Sequence, residues 1–339
     1  MNLFKTLQIA IPCTMGATIV VVPSIVAATD NSKVYDEALC FECAAGSSST
    51  VQYEAVSSDK MKIDIEYKIN GGEWQDWELI DQESGHGLSI PLTIKRRQKV
   101  YIRNTTEYLS NSKDEYVQFK IDGNNKIKAS GNINSLVNYQ DDLSDFSFYE
   151  LFYDCDGLTK APDITTHVGN KSCYYKMFAL CDSLKDAPKI KAEKLCAYAC
   201  ESMFNSCTHL TNAPLIDVPN LGGTAVFKSC FAECHALINV PKTLPATTLT
   251  SHCYDSMFMN CSLLTKAPLL PAGSLHMQCY QQMFKGCSKL KILADKGKNV
   301  ICDFRERHIE FPTNATRDMF ADTAYGTIEV LPEHFYSYE

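Results

Sequence analysis

The sequence predicts an α/β repeat fold: a leucine-rich-repeat solenoid of about six to seven units, each one short strand plus one short helix, preceded by a small all-β sandwich. Three observations predict it. A Phe-ended apolar pair recurs at near-constant intervals through the second half of the chain. Residues at fixed offsets from that Phe recur with it. The segment before the first copy alternates in strand fashion and lacks the repeat.

On this reading the chain of 339 residues divides into a signal peptide at 1–28, a β-sandwich at 33–140, the solenoid at 141–293, and a degenerate repeat with a C-terminal cap at 294–339. In the first segment Lys5 is the only charge, Leu7 to Ala28 is apolar, and Val26-Ala27-Ala28 sets small residues before Thr29-Asp30. That is the pattern of a secretory signal peptide. The apolar run also approaches spanning length, so an uncleaved anchor is the competing reading. Both imply export, to a secreted or cell-surface location.

The β-domain is read from period-two alternation. Ile63-Asp-Ile-Glu-Tyr-Lys-Ile69 alternates, Asn70-Gly71-Gly72 signals a turn, and Glu73 to Ile80 returns. Lys99 to Arg103 and Tyr116 to Ile121 are further strands, and Asp122-Gly123-Asn124-Asn125 is another turn. The size suits an antiparallel sandwich of immunoglobulin-like dimensions.

The repeat fixes the rest. The pairs are Leu151-Phe152, Met177-Phe178, Met203-Phe204, Cys230-Phe231, Met257-Phe258 and Met283-Phe284, with Phe-to-Phe intervals of 26, 26, 27, 27 and 26. A seventh pair, Met319-Phe320, follows after 36. Three residues after each of the first six Phe is a Cys: Cys155, Cys181, Cys207, Cys234, Cys261 and Cys287. Three further on is always Leu, and Ala-Pro or Val-Pro follows in the first five. A unit this short cannot bury its own apolar side, so units must stack and equivalent residues must form ladders. In Cys253-Tyr-Asp-Ser-Met-Phe-Met-Asn-Cys261 the apolar residues fall at i, i+4, i+5 and i+8, which reads as one face of a short helix. The next Leu-x-x-Ala-Pro cannot continue a helix past its proline and reads as a short strand in a parallel wall.

The run Cys-Tyr-x-x-Met-Phe-x-x-Cys-x-x-Leu-x-x-Ala-Pro-x-Leu-Pro-Ala-x-x-Leu resembles the BspA-type leucine-rich repeat of bacterial surface proteins, over about residues 146–293. The Gly-Gly-x-Trp turn and the Ala129–Leu136 segment resemble the β-domain that often precedes such repeats. The resemblance implies a surface-exposed or secreted protein with roles in adhesion or protein binding. The chain departs from the pattern after Leu290: Ala294 stands in place of Pro and Thr323 in place of a seventh Cys, as in a terminal cap.

Sixteen cysteines invite a metal or redox reading. Recurrence at one repeat position argues instead for small buried side chains in a ladder. Export favours disulfides, and that alternative stays open. Cys196, Cys200 and Cys207 lack a second Cys-x-x-Cys pair, so no metal is expected. No catalytic motif is present, the His are scattered, and Asp141-Asp142 reads as a solvated linker, so no enzyme and no cofactor are expected. A net charge of −8 disfavours nucleic acid. Asn104, Asn170 and Asn314 begin N-glycosylation patterns.

Function is expected on surfaces. Two residues after each repeat Leu stand Lys160, Asp186, Asn212, Asn239 and Lys266, a polar row on the solenoid wall suited to a host or microbial surface protein. The plain alternative is that any strand needs a polar outward side. A second class is glycan binding by Trp74 and Trp77 in the β-domain; three residues apart in a strand, at most one is a platform and the other is core.

Overall fold

The computed structural model describes residues 38–58, 61–80, 86–290, 312 and 314–324. The N-terminal segment read as a signal peptide and most of the expected cap lie outside the described residues.

The first part of the chain forms β1 (Leu39–Cys43), β2 (Ser48–Val56), β3 (Ile65–Ile69), β4 (Gln75–Asp76), β5 (Leu79–Ile80), β6 (His86–Ser89), β7 (Leu92–Lys95), β8 (Lys99–Asn104), β9 (Tyr116–Lys120) and β10 (Ile127–Ser130). One sheet runs β10-β1-β8-β3-β4; the other runs β5-β6-β2-β7, with β9 also on β2, and all these pairings are antiparallel. Alternation decides which side is buried: Val51, Tyr53 and Ala55 of β2 and Val100 and Ile102 of β8 point into one core. A 3-10 turn, Ile133–Val137, leads to the solenoid.

The solenoid contains β11 (Asp142–Leu143), β12 (Leu158–Lys160), β13 (Ile164–Gly169), β14 (Ile190–Leu195), β15 (Ile216–Asp217) and β16 (Asn220–Leu221). β11, β13 and β14 pair in parallel order, and β15 and β16 both pair β14. This corrects the α/β leucine-rich-repeat expectation. Among the described residues there is no α-helix, and the molecule is a β-solenoid with regular strands in about three coils. The strand position is corrected as well. Leu-x-x-Ala-Pro forms only β12 and isolated bridges, and the longer strands follow the proline.

The stretches expected to be helical are ribbons of tight turns. In each, every fourth residue is left-handed: Ser172, Lys176 and Leu180 in one coil, Tyr198, Ser202 and Ser206 in the next. Amides then alternate in partner. In one coil Tyr175, Met177 and Ala179 donate three residues back, to Ser172, Tyr174 and Lys176. Between them Tyr174, Lys176 and Phe178 donate to the carbonyls of Ala199, Glu201 and Met203 in the following coil. A helix would send every amide four back. Here half of them stitch coils together, which offsets the cost of residues other than Gly at positive φ. The same pattern starts at Phe146, Ser172, Tyr198, Ala225, His252, Gln278 and Asn314.

Two residues in and two out is the resulting sequence rule. Cys173-Tyr174, Met177-Phe178 and Cys181 are buried, while Tyr175-Lys176 is half-buried. The inward Phe stack with centroids at 5.4 Å (Phe152–Phe178), 5.3 Å (Phe178–Phe204), 5.2 Å (Phe204–Phe231), 5.6 Å (Phe231–Phe258) and 5.6 Å (Phe258–Phe284). The seventh pair joins too, Phe320 stacking on Phe284 at 5.5 Å. At the other end the sandwich supplies the ladder's first ring, Phe119 of β9, stacked on Phe152 at 5.1 Å. β12 pairs β10 in parallel, so the sandwich covers the first coil and the two cores are continuous.

The six ladder cysteines have a specific bond. Each thiol donates to the carbonyl of the ladder Phe in the layer before: Cys155 to Phe119 at 3.1 Å, Cys181 to Phe152, Cys207 to Phe178 and Cys287 to Phe258 at 3.0 Å, Cys234 to Phe204 and Cys261 to Phe231 at 3.1 Å. The carbonyls of Phe178, Phe204, Phe231 and Phe258 also accept the amide of their own coil's Cys, so the thiol fills the second lone pair. Burial pushes the Cys155, Cys207 and Cys287 thiols up to about 12, which leaves them uncharged and unreactive at neutral pH. All described cysteines are free, and only Cys43 and Cys196 are half-exposed. Labelling of the native protein with a thiol reagent will therefore mark Cys43 and Cys196 quickly, and the ladder only after denaturant. A low thiol count after full unfolding would mean disulfides and defeat the ladder account.

Candidate functional site

The wall is the stretch from each repeat Leu to the residue after its Pro: 158–163, 184–189, 210–215, 237–242 and 264–269. Its layers are joined by main-chain bonds such as Ala187 to Asn212, Ala213 to Asn239 and Leu269 to Lys242. Lys160, Asp186, Asn239 and Lys266 are exposed and Asn212 is half-buried. The central three are tied together: Asn212 Nδ2 donates to Asp186 Oδ1 at 2.5 Å, and Asn239 Nδ2 to Asn212 Oδ1 at 2.6 Å. Their side chains form an amide ladder along the wall, so part of their polarity serves coil-to-coil cohesion.

Exposed apolar residues stand beside the polar row. Leu215 is 63% exposed, Ile238 45% and Leu269 42%. These lie in three consecutive coils. Leu215 and Leu269 directly follow the repeat Pro and Ile238 directly follows the repeat Leu, so exposed apolar side chains recur on the wall strips, as on an interaction surface. The signal was in the sequence: after the repeat Pro the residues are Asp163, Lys189, Leu215, Lys242 and Leu269, so apolar side chains interrupt an otherwise charged column.

The same strips carry Lys160, Lys185, Lys189, Lys242 and Lys266 against only Asp163 and Asp186, all exposed. Both aspartates are engaged: Asp163 accepts the Lys189 amide at 3.1 Å, and Asp186 accepts from Asn212. The wall is thus positive in a chain whose net charge is −8.

Away from the wall, His167 bridges two layers of the parallel sheet. Its Nδ1 lies 2.7 Å from Asp142 of β11, and its Nε2 lies 3.0 Å from Glu193 of β14. The hydrogen bond to Asp142 is the main cause of a raised His167 pKa, with the charges of Asp142 and Glu193 adding to it. Asp142, expected in a solvated linker, is thus a strand residue with a defined partner. The three side chains are all exposed, and the arrangement is a cross-layer tie.

Trp77 is buried in the sandwich core, its Nε1 donating to the Ile90 carbonyl at 2.8 Å and its ring edge-on to Tyr53 at 5.0 Å. It offers no platform. Trp74 is half-buried, with the Arg103 guanidinium 4.2 Å and the Lys68 ammonium 5.1 Å from its ring centre. The protein's own cations already lie over the ring. Asn104, first residue of a glycosylation pattern, is buried, and its Nδ2 donates to the carbonyls of Tyr108 and Leu136 at 3.0 Å. It is closed to modification in the folded domain. Among the described residues no group of three or more His, Cys, Asp or Glu is placed to hold a metal ion, and no helix is long and apolar enough to cross a membrane. Compared with family models, curated proteins and solved structures, the chain matches none.

Proposed function

We propose that this is a non-enzymatic, exported protein that binds another protein, a host or microbial surface protein, through the solenoid wall. One observation carries the reading: Leu215, Ile238 and Leu269 stand exposed in consecutive coils of a wall whose backbone is fixed by cross-coil hydrogen bonds. Binding there needs little ordering of the backbone, which keeps the entropic cost of association low. The N-terminal apolar segment and the resemblance of the repeat run to bacterial surface proteins support export. The test is capture of surface-labelled proteins from co-cultured cells by the immobilised chain. The triple variant Leu215→Ser/Ile238→Ser/Leu269→Ser will lose the captured species while melting within about 5 °C of wild type, because each surface substitution shifts stability by less than about 0.5 kcal/mol. Undiminished capture by a well-folded triple variant removes the wall from the function.

A further inference from the structure

From the charge of the wall we infer the chemistry of its partner: an extended acidic polypeptide segment with apolar residues interspersed among its carboxylates. The inference rests on the reading of the wall as a binding surface and names what it binds.

The charge of the wall is opposite to that of the chain as a whole. A protein of net charge −8 concentrates five exposed lysines on the wall strips, with two aspartates that already hold cross-coil bonds. The strip extends onto the sandwich, where exposed Lys128 lies opposite Lys160 in the β10–β12 pair, with Glu42 of β1 as its other neighbour. Glu42 itself stands 3.7 Å from Lys99. Like charges on adjacent strands cost free energy unless an anion lies between them. Among the described residues no carboxylate lies within ion-pair distance of Lys160, Lys185, Lys189, Lys242 or Lys266. A wall whose only task was cohesion would not gather unmatched cations.

The apolar residues decide between anions. Cations and apolar side chains are interspersed on the strips: Lys189, Leu215, Ile238, Lys242 and Leu269 are all exposed. Layers in a parallel stack are about 4.8 Å apart, so Leu215 and Leu269, two layers apart, lie roughly 10 Å from each other. An extended chain covers that distance in about three residues. A sulfated glycan would satisfy the lysines and leave three large apolar side chains against water. An acidic peptide with apolar residues satisfies both. A negative partner is also steered to this face by the contrast between the wall and the rest of the acidic surface.

The test uses the full mature chain and a fluorescent twelve-residue peptide of Glu and Leu separated by Ser. Controls carry Lys for Glu or Ser for Leu. The expected result is binding seen by fluorescence anisotropy that weakens at least tenfold between 50 and 500 mM salt. It should also drop at least tenfold in Lys189→Gln/Lys242→Gln/Lys266→Gln and in the Leu215, Ile238 and Leu269 serine triple, with neither control peptide binding comparably. Equal binding of the Lys peptide, an unchanged affinity in the glutamine triple, or stronger competition by a heparin fragment than by the Glu-Leu peptide would overturn it. The two readings fail separately. If cell-surface capture is lost in the serine triple and kept in the glutamine triple, the wall binds and the acidic partner is wrong. If capture survives both, the wall itself is wrong and the inference falls with it.

Discussion

Replacing Phe204 by Ala will destabilise the solenoid by about 3–5 kcal/mol, the range for truncating a fully buried Phe. Phe204 is 0% exposed and stacks on Phe178 at 5.3 Å and on Phe231 at 5.2 Å. Aromatic pairing adds about 0.5–1.5 kcal/mol per pair beyond burial, and two pairs are lost at once. The ribbon cannot collapse into the space, because its spacing is held by Phe178 to Met203 and Phe204 to Cys230 amide bonds on either side. Phe320 provides the comparison. It is half-buried and among the described residues its ring stacks on Phe284 alone, so Phe320→Ala should cost less than half as much. Denaturant melts of the two variants measure the difference. Equal costs would show that the ladder is not a cooperative stack.

The second large effect is expected at Gly157. The residue before each repeat Leu is Gly157, Ser183, His209, Ala236 and Leu263 in successive coils, so side chains of any size are accepted except in the first. There the sandwich sits. The Gly157 amide donates to Ile121 at 3.1 Å and its carbonyl accepts from Ile127 at 3.0 Å, and a Cβ at this position would fall on the carbonyl oxygens of Asn125 and Asp122. Backbone cannot swing aside as a flexible side chain can. Gly157→Ala must either part the two domains locally or distort the Asp122–Asn125 turn, at a cost of about 3 kcal/mol, the upper part of the overpacking range. Limited proteolysis should then open the 121–127 segment, while Ser183→Ala leaves the cleavage pattern unchanged. A Gly157→Ala variant as stable as wild type would mean that the junction is looser than its hydrogen bonds indicate.

Much of this architecture could be read from residues, and the misreading has a definite cause. Phe-to-Phe intervals revealed a stack of coils, and Phe152 through Phe284 do stack. What they did not reveal was the backbone inside a coil. Cys173-Tyr174, Met177-Phe178 and Cys181 repeat with a period of four, and over so short a run four is easily taken for the 3.6 of a helix. The drift between the two periods is about 40° per four-residue step, which accumulates to 80° by Cys181 and would carry it off a helical stripe. Seven coils holding strict fours against that drift were the available clue. The αL residues themselves, such as Lys176, Leu180 and Glu233, have no helix-breaking or glycine signature, because cross-coil bonds rather than local preference keep them there. At the wall, the polar row was legible as Lys160, Asp186, Asn212, Asn239 and Lys266. Its internal bonding was not, since an amide ladder depends on the stacking register.

The turn ribbons give the molecule a sense of direction. Every cross-coil amide in them points from one coil to the next along the chain, from Phe146 toward Lys171 and onward to Gly286 toward Ala321. A ribbon stack taken by itself therefore has chemically opposite ends, oxygens at one and hydrogens at the other, and in this chain the Phe119 amide of the sandwich already takes the Leu151 carbonyl at the oxygen end. Two such stacks brought together by like ends would set donors against donors or carbonyls against carbonyls. Only unlike ends are complementary, so any growth by stacking would be polar, with a front and a back, as in a filament assembled head to tail.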